Sequence, residues 1–311
     1  MEVESADAQL EPKPFRESIP DKTDFIIAYG VRREGKSWAC RYLCWCMRAY
    51  FSHGEVFSAT AFNGFWQKHF PGWKVFPGWR PGVIAQIMRE QAHIAKLYKE
   101  DPSCINPWRL IILDDCVHDC GHDPLLKELA QTGRHYYICV IITTQHPTAL
   151  LPAIRSNADI ALIFNIHKRQ ALETLAEDLM PQLKTNNAVE HLQKFCYKPP
   201  PDKKNEASQC LVVVSRLGGN LQNRLFYLQA PDPGNFIIGC KEYWSKQSLL
   251  EIAKEHMTRT KGRGIEELVF ESDSDDDDVG DRPKLEGKWD NATMHEHKLI
   301  LPQQQRTTIK Y

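Results

Sequence analysis

The 311-residue sequence predicts an α/β fold: a mainly parallel sheet between helices, with an antiparallel hairpin at one edge. Three observations predict it. Short unbroken apolar runs, at residues 25–28, 110–113, 138–142 and 160–164, have the pattern of strands buried on both faces. Segments with helical period separate them, as parallel strands require of their crossovers. The first run leads directly into Gly30-Val31-Arg32-Arg33-Glu34-Gly35-Lys36-Ser37, a G-x-x-x-x-G-K-S turn that belongs between a strand and a helix.

In chain order, residues 1–23 are polar with three prolines and are expected to form an extended arm. Residues 24–29 read as a strand and 38–47 as a helix, so the glycine-containing turn has the setting of a phosphate loop. Its glycines let backbone N–H groups curl around phosphates, and the new helix directs its positive end at them. Lys36 is expected to reach the β- and γ-phosphates and the Ser37 hydroxyl to ligate Mg²⁺, so residues 30–37 together form the predicted nucleoside triphosphate site. Residues 55–60 read as a second strand. The aromatic, Pro/Gly-rich stretch 62–81, with Trp66, Trp73 and Trp79, is expected to pack over a sheet edge; the alternative is an aromatic surface for a partner or nucleic acid. A helix is predicted over 83–100.

Residues 109–115 end an apolar strand in Asp114-Asp115, 78 residues after Lys36. Asp114, at the carboxyl end of that strand, is expected to hold Mg²⁺, and Asp115 to polarise an attacking water. Cys116, His118, Cys120 and His122 suggest zinc, but their gaps are shorter than those of paired zinc ligands, so 116–122 reads as a polar loop. A helix over 123–132 and a strand over 138–144 follow. Gln145, just past that strand, is placed to sense the γ-phosphate and water; the alternative is a Gln that only opens the turn before Pro147. Then come a helix at 150–158, a strand at 160–164, an amphipathic helix at 169–179 and a surface excursion at 199–206. Strands 211–215 and 225–228 flank Gly218-Gly219-Asn220 as the edge hairpin, and 244–260 is the last helix.

Composition is ordinary, 42% hydrophobic and 25% charged, which excludes a wholly disordered chain. The net charge of -1 hides an asymmetry: residues 266–281 hold nine acids and no Lys or Arg, leaving the rest moderately basic, which is compatible with a polyanion partner. This divides the chain into an arm at 1–23, a phosphate-loop domain at 24–264 and an acidic tail at 265–311 that is expected to be disordered. The ten cysteines are spread over strands and helices rather than stapling loops, which suits a reducing compartment. The amino terminus lacks the pattern of a signal peptide and no apolar run is long enough to span a bilayer, so an intracellular, soluble protein is expected.

The stretch from Gly133-Arg134-His135 through the strand to Thr144-Gln145-His146-Pro147 resembles the signature of the FtsK–HerA class of translocating ATPases. Residues 151–159, Leu-Pro-Ala-Ile-Arg-Ser-Asn-Ala-Asp, resemble one branch, the genome-packaging ATPases of nucleocytoplasmic large DNA viruses, as does the Arg32-Arg33 pair in the phosphate loop. The resemblance covers about residues 24–240. It implies a RecA-like P-loop NTPase fold, ATP and Mg²⁺ as ligands, Lys36, Ser37 and Asp114 on phosphate and metal, and Gln145 as sensor. It implies that Arg134 is an arginine finger serving a neighbouring subunit, with Arg155 as a second candidate. The class usually has Glu where this chain has Asp115, one methylene shorter. The implied assembly is a homo-oligomeric ring of five or six copies around double-stranded DNA, held through its phosphates without sequence reading, with capsid or inner-membrane portal proteins as further partners. The implied location is the host cytoplasm or the virion. The competing readings are a HerA-like cellular or plasmid translocase, disfavoured because only 29 residues precede Gly30, a P-loop kinase, and a nucleotide-dependent capsid scaffold.

Overall fold

The computed structural model describes residues 10–103, 105–196 and 209–245, together with 251 and 254. The chain separates into two units at Glu266 and Glu267, and the second lies outside the described residues. The predicted excursion at 199–206 and the tail at 265–311 also lie outside them.

The described strands are β1 (Lys13–Pro14), β2 (Phe25–Tyr29), β3 (His53–Ser58), β4 (Val75–Pro77), β5 (Arg109–Asp114), β6 (Ile138–Thr144), β7 (Ile160–Ile163), β8 (Cys210–Val214) and β9 (Leu225–Leu228). They form one sheet in the order β1-β9-β8-β7-β2-β6-β5-β3-β4, parallel except that β8 runs against both neighbours. The mainly parallel sheet and its antiparallel hairpin are therefore present. The hairpin is not the outermost pair, because Lys13 and Pro14 align with Phe226 and Tyr227 beyond it. So the arm predicted for 1–23 is tied down over its second half: Leu10 is buried in the core and Phe15 packs edge-on against Phe226.

The helices are α1 (Lys36–Met47), α2 (Pro81–Glu100), α3 (Val117–Cys120), α4 (Pro124–Thr132), α5 (Pro152–Arg155), α6 (Arg169–Leu179), α7 (Thr185–Cys196), α8 (Leu221–Arg224) and α9 (Lys241–Trp244). Alternation along each strand sorts them to two faces. Ile26, Ala28, Leu110, Ile112 and Ile141 meet Ala39, Leu43 and Met47 of α1 on one face. Ile27, Tyr29, Ile111, Leu113 and Ile142 meet α2, α4, α6 and α7 on the other. Each fully buried Leu or Met contributes about 1.5–3 kcal/mol, so both layers are needed to hold the sheet.

Several elements differ from expectation. The segment 116–122 is not a polar loop: α3 turns Cys116, Val117 and Cys120 into the core and leaves His118 and His122 exposed. Among the described residues, no group of three or more His, Cys, Asp and Glu is arranged around a metal. The helix predicted at 150–158 shrinks to the single turn α5, because Pro147 and Pro152 break the backbone pattern on either side of Leu150. Helix α7 is unannounced by strong formers, since Thr185-Asn186-Asn187 begin it, but Ala188, Leu192 and Cys196 form its buried stripe. Of the helix predicted at 244–260, Glu251 and Lys254 are helical and most of the remainder lies outside the described residues. The stretch 62–81 does pack over the sheet edge: β4 pairs with β3, and Trp66 and Phe70 are buried beside α1. Among the described residues, no helix is long and apolar enough to cross a membrane, and the cysteines are free thiols.

Candidate functional site: a phosphate loop facing two carboxylates

The strand register builds the site. Ser58 aligns with Asp114, Asp114 with Thr143, and Tyr29 with Thr144, so the carboxyl ends of β3, β5, β6 and β2 finish in one row. Strand β6 lies between the strand that feeds the phosphate loop and the strand that ends in the carboxylates. It therefore sets the width of the site.

The loop is fastened at its entrance, where the Gly30 and Val31 N–H groups donate to the Thr144 and Asn165 carbonyls at 3.2 and 3.1 Å. Only glycine fits at position 30: a Cβ there would lie 2.5 Å from the Phe164 Cβ. Gly35 closes the loop with φ +90°, in the left-handed region that glycine enters without steric cost, and α1 starts at the next residue. Lys36 is buried, and its ammonium donates to the Gly30 and Val31 carbonyls at 2.8 and 2.9 Å. Burial pushes its pKa down, while the Asp115 and Asp114 carboxylates pull it back up. Arg32 and Arg33 are exposed and, among the described residues, neither pairs with a carboxylate. Arg33 has φ +66°, which turns the backbone at the loop's outer bend.

Asp114 is almost fully buried and accepts four hydrogen bonds. Its Oδ1 takes the Ser37 hydroxyl at 2.8 Å and the Thr143 hydroxyl at 2.9 Å, and its Oδ2 takes the Trp66 indole N–H at 2.8 Å and the Ser58 hydroxyl at 3.3 Å. Asp115 leaves the strand with φ +56°, its N–H donating to the Thr143 oxygen at 2.9 Å. This bend carries the short carboxylate to Gln145, whose Nε2 donates to both its oxygens at 2.9 and 3.1 Å. Thr143 thus links the two acids. The Ser37 hydroxyl and Asp114 Oδ1 are hard oxygens in mutual contact beside the loop, the donor set that suits Mg²⁺ shared with phosphates.

The two arginines of interest are elsewhere. Arg134 sits exposed in the 3-10 turn Gly133–Tyr136, at the amino end of β6, while Gln145 follows its carboxyl end. It borders a small cleft with Asp24, Asn157 and Asp159. Burial raises the Asp159 pKa, and Arg134 opposes that shift. Arg155 is buried, its Nε on Asp178 at 2.6 Å and a terminal nitrogen on the Leu150 carbonyl at 2.7 Å. These contacts join α5 to α6 and tie the second finger candidate to its own subunit. Trp66, Ser58 and Thr143 belong to no motif, and only the fold brings them to Asp114.

The fold is a mostly parallel α/β sheet with an antiparallel hairpin toward one edge and a phosphate loop between β2 and α1. The chain is related to proteins of large DNA viruses. Uncharacterised protein L437 of Acanthamoeba polyphaga mimivirus is 24% identical over 226 residues, covering 70% of this chain and 76% of that one. Uncharacterised protein 015R of Frog virus 3 is 26% identical over 228 residues, covering 70% and 66%. Uncharacterised protein 075L of Invertebrate iridescent virus 6 is 31% identical over 142 residues, 45% of this chain, which spans about half (53%) of that protein. No protein-family model matches. Among solved structures, the genome packaging NTPase B204 of Sulfolobus turreted icosahedral virus 2 in complex with AMP aligns with TM-score 0.47 and 13% identity, over 68% of this chain and 98% of that one. The pCW3 conjugation coupling protein TcpA aligns with TM-score 0.46 and 14% identity, over 71% and 70%.

Proposed function

We propose that the chain is a Mg²⁺-dependent ATPase whose motor domain, residues 24–264, drives double-stranded DNA, packaging a viral genome into a preformed capsid as one subunit of a ring. The observation that carries the reading is the contact between Ser37 and Asp114 at 2.8 Å beside the glycine-bounded loop, with Asp115 and Gln145 paired next to it. In this reading the loop's backbone N–H groups and the amino end of α1 bind the phosphates. Lys36 gives up the Gly30 and Val31 carbonyls for phosphate oxygens. Ser37 and Asp114 would hold Mg²⁺, which when bound offsets charge on the phosphate oxygens. Asp115 orients the attacking water and accepts its proton, and Gln145 leaves that carboxylate to bond the γ-phosphate.

Arg134 cannot serve its own subunit's site, since the full length of β6 intervenes. A head-to-tail ring presents it to the neighbour instead, and such a closed ring surrounds DNA. Kinship with proteins of large DNA viruses supports the viral setting. The test is ATP turnover with and without double-stranded DNA: stimulation by DNA of any sequence, with no phosphorylated small product, is expected. Turnover indifferent to DNA, or phosphate passed to a small acceptor, would overturn the motor reading.

A further inference from the structure

The Asp114 carboxylate has two oxygens with different surroundings. Oδ1 faces Ser37 and Thr143, two hydroxyls that can rotate and exchange partners. Oδ2 faces the Trp66 indole at 2.8 Å, with Ser58 farther off at 3.3 Å. An indole N–H only donates and cannot turn away without moving the whole ring. That ring is 1% exposed and is wedged edge-on against Phe65 and Phe70, with centroids 5.0 and 6.2 Å away. The tryptophan also lies in the 3-10 turn Trp66–Lys68 between β3 and β4, off the strand that carries Asp114.

We propose that Trp66 is a positioning residue for the metal-binding oxygen of Asp114: by pinning Oδ2 it fixes the carboxylate plane so that Oδ1 stays turned toward Ser37. This rests on the nucleotide and Mg²⁺ reading given above. Ser37 and Asp114 would hold Mg²⁺, and the indole contact on Oδ2 would keep the carboxylate oriented when the hydroxyl hydrogen bonds to Oδ1 give way. Partners that orient a metal-binding carboxylate typically contribute ten- to a hundredfold to metal affinity.

The experiment uses the full chain and Trp66→Phe, which keeps an aromatic ring and deletes the N–H. Binding of the nonhydrolysable analogue AMPPCP is measured by calorimetry with saturating Mg²⁺ and with EDTA. The expected result is about tenfold weaker binding in the Mg²⁺ arm, with the EDTA arm unchanged. Equal loss in both arms, or an undiminished gain from Mg²⁺, would overturn the proposal. The assigned indole N–H resonance of Trp66 in the wild-type chain reads the same contact without any substitution. It is expected to shift when Mg²⁺ joins bound AMPPCP, and an unmoved resonance overturns the proposal whatever the variant does. Wild-type protein that takes AMPPCP in neither arm overturns the nucleotide reading itself, and this inference with it.

Discussion

Replacing Arg134 by alanine separates a ring motor from an enzyme that works alone. The seven residues of β6 rise about 3.3 Å each, so ~23 Å of sheet lies between Arg134 and Gln145. That is far beyond the reach of one side chain. Arg134→Ala therefore removes nothing that touches its own subunit's nucleotide, and AMPPCP affinity is expected to stay at the wild-type value. If Arg134 completes a neighbouring site, turnover falls by about 10³- to 10⁵-fold, the range such arginines contribute. Asp115→Asn fails differently: its own site is dead, but its Arg134 is intact. After subunit exchange in a one-to-one mixture, a working site needs an Arg134→Ala owner beside an Asp115→Asn neighbour. The chance is one half times one half, so about a quarter of sites recover. Turnover is expected to rise from background to about a quarter of wild type and to vanish on dilution below the assembly concentration. A flat mixing curve from assembled, nucleotide-binding proteins would refute the trans role.

Lys36→Ala is expected to lower turnover at least ~10²-fold, because it deletes the one ammonium buried in the loop; wild-type turnover would sink the ATPase reading. Removing residues 265–311, with the nine acids at 266–281, is expected to tighten DNA binding at low salt and less so at high salt. Unchanged or weaker binding across a salt series would reject competition between tail and DNA. His69 is 1% exposed, stacked 4.1 Å from Phe236 with Nδ1 on that residue's carbonyl, and burial holds its pKa down at about 4. Unfolded, it takes a proton near pH ~6.5, so the unfolded chain binds more protons between ~6.5 and ~4 and stability is lost as pH falls through that window. The loss approaches ~3 kcal/mol, and buried His53, also shifted down by desolvation, adds to it with the same sign. Urea midpoints measured from pH 4 to 7 are expected to slope less in His69→Gln, and an unaltered slope would refute the assignment.

What the chain announces by itself is what neighbouring residues carry together. The loop Gly30–Ser37 needs only a strand before it, a helix after it and glycines where the backbone must curl, so its role is legible over a dozen residues. The same holds for Asp114-Asp115 at the end of an apolar run and for the sheet's parallel character, since strands buried on both faces lose the alternation that an exposed face would impose. What surrounds Asp114 is another matter. Its partners Ser58 and Thr143, 56 and 29 residues away along the chain, meet it because β3, β5 and β6 pair in a register that ends them level, and Trp66, 48 residues away, reaches it from the turn between β3 and β4. Nothing periodic in 62–81 distinguishes Trp66, which bonds Asp114, from Trp79, which bonds Asp123. Likewise Arg134 and Arg155 stand in similar polar stretches, yet packing leaves one exposed at the far end of β6 and buries the other on Asp178. Lys13 and Pro14 carry no strand signal and become one because β9 offers them an open edge. Local pattern records which faces avoid water; which distant groups then meet is decided by strand order and close packing, where one carboxylate can satisfy four donors only if every layer around it is in place.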